Sequence, residues 1–62
     1  MHATEAQAIY LDARGRAMAY TSPGLRFAAW RLRRRQSQLD PTGLVKLRAV
    51  ESEMAARRKA SA

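Results

Sequence analysis

The chain has 62 residues, no cysteine and a single histidine, and its 12 Lys and Arg against 5 Asp and Glu give a net charge of +7. These figures exclude a disulfide framework and a cysteine-based zinc site, and they restrict the chain to one small domain, residues 1–62, that buries only roughly 60% of its unfolded surface. Stability must come from well-packed helices, self-association or a larger partner, and a basic balance dominated by arginine points to a polyanionic partner, nucleic acid or an acidic protein surface.

The most apolar stretch, "AIYL" (8–11), is far shorter than the ~20 residues of a spanning helix. The N-terminus lacks the basic segment and apolar block of a secretory signal, and acids at Glu5 and Asp12 favour a mature, intracellular protein over a transit peptide. His2, close to a terminus expected to fray, offers no structural metal site, and no cofactor is expected.

The first element is open to two readings. "TEAQ" (4–7) has the form of a capping box, Thr4 with Gln7. Ala6, Ile9, Tyr10, Ala13, Ala17 and Tyr20 then fall on one helical face, which predicts a helix over Thr4–Tyr20 with Gly15 as an interruption costing ~1 kcal/mol. The alternative is a β-hairpin around 12–15, where "DARG" has Asp and Gly at the places a three-residue connection needs. The many alanines disfavour strands.

"TSPG" (21–24) and "LDPTG" (39–43) each join a capping residue to a proline. Ser22 and Asp40 are the expected N-caps, with Pro23 and Pro41 at the first helical position. A helix over about 23–38 and another over about 41–59 follow, with fraying beyond Lys59.

In the central helix Leu25, Ala28, Ala29, Leu32, Gln36 and Leu39 form one narrow apolar stripe, which is the expected core face. Arg26, Arg31, Arg33 and Arg34 fan around the far side, and Arg35 sits at the stripe's edge. Phe27 and Trp30 also lie on the far side, where a solvated helix rarely carries two large rings. They could stack on bases while the arginines neutralise phosphates, or anchor a protein interface. They could also pack on the first segment through Tyr10 and Tyr20. Phe27 with Arg31, and Trp30 with Arg34, are spaced for cation–π contacts within the helix. Charges and rings share a face opposite the apolar stripe, so membrane binding is not expected.

The last helix has Leu44, Leu47, Val50 and Met54 on one face and Val45, Ala49 and Ala56 on another, the pattern of a helix that touches two neighbours. Glu53 and Arg57 have ion-pair spacing. Arg57, Arg58 and Lys59 complement the helix dipole and form a secondary basic patch.

The expected fold is mainly α: an αα-hairpin of the last two helices plus the N-terminal segment. A helix-turn-helix reader is not indicated, because both later helices are long and the usual short helix with its Gly turn is missing. No nucleophile–base arrangement, GxGxxG or P-loop is present, so an enzyme is not expected. The expected function is nucleic-acid binding through Arg26, Phe27, Trp30, Arg31, Arg33, Arg34 and Arg35, with little sequence specificity. The alternatives are an accessory, adaptor or inhibitor subunit docking on an acidic protein surface, and a self-associating bundle.

Overall fold

The computed structural model describes residues 3–61, which form three α-helices: α1 (Ala3–Met18), α2 (Ser22–Arg34) and α3 (Pro41–Ser61), with a single 3₁₀ turn at Gln36–Gln38. The mainly α expectation is met and the hairpin alternative is overturned, because residues 12–15 lie inside α1. The alanine-rich sequence carries the helix through Gly15, around which a Cβ would meet nothing within 4 Å. Thr4 also lies inside α1 rather than at its start, and the cap position before Ala3 falls outside the described residues, as does His2. Among the described residues no helix is long and apolar enough to cross a membrane.

The two breaks work by local chemistry. Asp40 caps α3 as expected: its Oδ1 accepts from the Gly43 amide at 2.8 Å. At α2 the cap is Thr21 rather than Ser22, with Thr21 Oγ1 accepting from the Gly24 amide at 3.2 Å. The cap thus lies one residue earlier than expected, which places Pro23 at the second helical position and leaves the Ser22 hydroxyl free for a tertiary bond. The α-helical part of α2 stops at Arg34, short of the expected Gln38. The chain tightens into a 3₁₀ turn, with Gln38 N–H donating to the Arg35 carbonyl at 2.8 Å. Leu39 is then extended, and Asp40, preceding a proline, is steered away from helix. This change of pitch turns the expected core residue Gln36 out to solvent and sets half-buried Leu39 against Gly43, where a Cβ would lie 2.8 Å from Leu39 Cδ2.

α3 is the central element. α1 and α2 each pack on it and hardly touch one another. Ala17, Leu25, Ala29 and Val50 form the core, with Ala28, Leu32 and Met54 packed around it. The two stripes of α3 serve its two neighbours: Val50 and Met54 join the cluster with α2, while Ala49, fully buried, lies one turn before Glu53, which reaches α1. At the ends of the stripes Leu44 and Ala56 are exposed. Ala6, Ile9, Tyr10 and Ala13 are half-buried on the expected face of α1, but Tyr20 lies beyond the helix and is exposed. α3 continues past Lys59 to Ser61, whose hydroxyl donates to the Arg57 carbonyl at 2.9 Å.

One polar cluster joins the three helices. Glu53 accepts from Arg14 Nε at 3.2 Å on one oxygen and from Arg57 Nε at 3.0 Å on the other. Arg14 also donates to the Tyr10 hydroxyl at 3.2 Å. Arg57 reaches on to Ser22 Oγ at 3.2 Å and to the carbonyls of Ala17, Met18 and Tyr20 at 3.3, 3.2 and 2.6 Å. These carbonyls belong to the end of α1 and the turn after it, and that of Ala17 also accepts from the Tyr20 amide at 3.1 Å. Arg57, then Arg14, hold the Glu53 carboxyl below its usual range. Hydrogen bonds from Ser52 and Arg14 lower the Tyr10 phenol, and Tyr10, then Glu53, raise Arg14.

Two outcomes are expected. Gly15→Ala at low protein concentration should raise the melting midpoint by about 4–8 °C, since Ala is worth ~1 kcal/mol over Gly in an open helical position. Gly43→Ala should gain less than this, because the new methyl must displace Leu39. The second concerns pH. A depressed Glu53 pKa means that its contribution is complete above the unfolded value of ~4.3 and is lost as pH falls through the native value. Denaturant titrations should therefore show Glu53→Gln less stable than the parent at neutral pH, with the gap closing in acid.

Candidate functional site

Charge in this chain is segregated by sequence. Between Asp12 and Asp40 there is no acid and there are seven arginines. α2 carries four of them on a helix whose only buried residues are Leu25 and Ala29. The apolar stripe binds α2 to α3, so the rest of its circumference is a basic surface held on a fixed support.

Phe27 and Trp30 stand on that surface 59% and 51% exposed. Their rings stack on one another with centroids 5.9 Å apart and planes inclined by 26°. The Arg31 guanidinium lies 5.9 Å from the Phe27 centroid, and that of Arg34 lies 4.9 Å from the Trp30 centroid. The i,i+4 cation–π spacing read from sequence is thus realised. The rings are not covered by the first segment: α1 packs on α3, where Arg14 and Ser52 engage Tyr10, and Tyr20 sits exposed in the turn. The result is a ladder, Arg31–Phe27–Trp30–Arg34, open to solvent along its length. Exposed cation–π contacts are worth only ~0.5–1 kcal/mol each, so the guanidiniums can leave the rings for a better partner at small cost.

Arg35 extends this face. With Trp30, Arg31 and Arg34 it surrounds a shallow recess of about 300 Å³. Arg31 and Arg35 also border a second hollow of about 240 Å³ floored by Ala28, Leu32 and Leu39. Arg26 belongs to a different place, a groove of about 590 Å³ between α2 and α3 that it shares with Arg58 above a floor of Leu25 and Met54. Arg33 is paired with Glu51 across the α2–α3 seam at 2.7 Å.

The secondary patch divides in the same way. Arg57 is turned inward by its bonds to Glu53, Ser22 and the three carbonyls, whereas Arg58 and Lys59 are exposed in the last turn of α3. Among the described residues Arg26, Arg31, Arg34, Arg35 and Arg58 form no ion pair. The acids explain why. Asp40 caps α3, Asp12 pairs with Arg16, Glu51 pairs with Arg33, Glu53 serves Arg14 and Arg57, and Glu5 lies in the first turn of α1, away from α2 in sequence. The Glu53–Arg57 spacing announces half of that cluster, but no local signal announces Arg14, which meets Glu53 across the fold. No three metal-ligating side chains converge among the described residues. The chain matches no known protein family, no curated protein and no solved structure.

The division of the basic residues is testable by comparing neighbours. Arg57→Ala should lower stability by about 1–1.5 kcal/mol, because it removes the bonds to Ser22 and the carbonyls and leaves Glu53 with Arg14 alone. Arg58→Ala should stay within about 0.5 kcal/mol of the parent in the same chemical denaturation.

Proposed function

We propose that this chain binds nucleic acid through the outward face of α2, with little preference for sequence. The observation that carries the reading is the solvent-open ladder of two stacked rings and two guanidiniums on a helix without a single acid. Arg31, Arg34 and Arg35, with no ion pair among the described residues, neutralise phosphates and release condensed counterions. Trp30 and Phe27 supply flat apolar surface for an unstacked base or a sugar, a contact every base can make. Ring stacking and phosphate contacts accept any base, which is why the mode is sequence-tolerant. Arg26 and Arg58 lie beside this face along the groove to α3 and extend the phosphate track.

A second reading is supported by the same cluster. Phe27, Trp30, Arg31 and Arg34 sit at the spacing of anchors on a helix that lies in a protein groove, and Trp, Phe and Arg are common at interface centres. An accessory or adaptor subunit on an acidic protein surface would use them so.

Trp30 is the only tryptophan, which makes it a clean reporter. Single-stranded oligonucleotides at low salt should quench its fluorescence. The logarithm of affinity should fall with the logarithm of salt at a slope of roughly −2 to −4, for three to five phosphates engaged. Arg31→Glu combined with Arg34→Glu should abolish binding. An unchanged Trp30 signal with both DNA and RNA at low salt sinks the proposal. A stoichiometric protein complex weakened more by Trp30→Ala than by any one arginine change would establish the second reading instead.

A further inference from the structure

α1 is apolar on two opposite faces. Its inner face, with Ile9, Ala13 and Ala17, packs toward α3. Its outer face carries Ala8, Leu11, Gly15 and Met18, spaced 3, 4 and 3 residues apart as in the seam of a helix pair. Leu11 and Met18 are 60% and 65% exposed, more than any other large apolar side chain among the described residues. A surface helix normally presents polar residues opposite its core stripe. Here Glu5, Asp12, Arg14 and Arg16 are kept to either side of the outer seam.

We infer that this seam is the contact between two copies of the chain, with α1 antiparallel to α1 of the second copy. Charge decides the occupant. α1 holds two acids and two arginines, whereas α2 holds four arginines and no acid, in a chain of net charge +7. An acidic protein or an anionic bilayer is drawn to α2 and to the last turn of α3, not to the one neutral helix. Two strongly positive chains, by contrast, meet with least repulsion through that helix. In an antiparallel alignment centred near Ala13, Asp12 of one helix lies beside the Arg14–Arg16 stretch of the other. In one such register Leu11 faces Gly15 of the second copy and Ala8 faces its Met18, so each layer pairs a large side chain with a small one. The pairing is isologous and closes at two. It also supplies the self-association that a chain of this length without disulfide or metal uses for stability.

The seam is on a different helix from the ladder of α2, so the two proposals fail independently. Sedimentation equilibrium from micromolar to millimolar protein should give a monomer–dimer equilibrium that tightens with added salt, since salt screens the repulsion between the copies. Leu11→Gln with Met18→Gln, which keeps charge and helix propensity, should weaken the dimer at least about tenfold. Gly15→Gln is the second variant. It has room in the single chain and favours helix, so it should raise monomer helicity while weakening the dimer. Phe27→Ala with Trp30→Ala should dimerise as the parent does. A parent that is monomeric throughout, seam variants that dimerise unchanged, or dimerisation lost only in the ring variant would each overturn the inference.

Discussion

The fold depends on Glu53 and the two guanidiniums it holds. A helix bundle this small has a thin core, here six buried side chains among the described residues, of which three are alanine. What fixes the angle between its helices is the polar cluster at its edge. Arg14 comes from α1, Glu53 and Arg57 from α3, and Arg57 ends on the chain that links α1 to α2. The arrangement is favourable because every member has more than one partner and no buried side-chain polar atom among the described residues is left without one. Neither charge is deeply buried, so desolvation is moderate and the bonds retain much of their charge-assisted strength.

The same cluster organises the electrostatics. A chain with five acids and twelve bases cannot neutralise itself. This one places four of its five acids at structural positions: Asp40 caps a helix, Asp12 pairs within α1, Glu51 pairs between helices, and Glu53 does both. Positive charge is compensated at the seams between helices, Arg33 of α2 included, and is left uncompensated on the outward face of α2. The self-repulsion of Arg31, Arg34 and Arg35 is a standing cost to the folded state, reduced a little by the rings on which two of them rest. An anion laid on that face removes the cost as it binds.

Much of this was legible in the sequence. Pro23 and Pro41 with their capping neighbours mark both breaks, and the stripes of α2 and α3 name most of the buried residues, because capping and periodicity are local properties. Other features belong to tertiary structure. Thr21 and Ser22 can both cap; Thr21 does so, while the Ser22 hydroxyl accepts from Arg57 across the fold. Gln36 fits the helical stripe, but the chain tightens into a 3₁₀ turn there and only Leu39 comes back to pack, against Gly43. Periodicity gives α1 an inner face without naming its partner, which is α3 and not the rings of α2. Arg57 was legible as the partner of Glu53, yet its long side chain would serve a surface patch equally well. The ladder of Phe27 and Trp30 was legible as an anomaly, a pair of rings on the wrong side of a helix, and the structure leaves them uncovered.

That α1 and α2 lean on α3 and hardly on each other has a consequence for the making of the protein. A ribosome delivers α1 first, and its partner lies about forty residues downstream. Until Glu53 and Arg57 have left the exit tunnel, α1 has apolar surface on both sides and nothing in its own chain to cover either. The first two helices therefore acquire their places together, when α3 arrives, and the nascent chain passes through a period in which its exposed seams are open to chaperones or to another nascent copy.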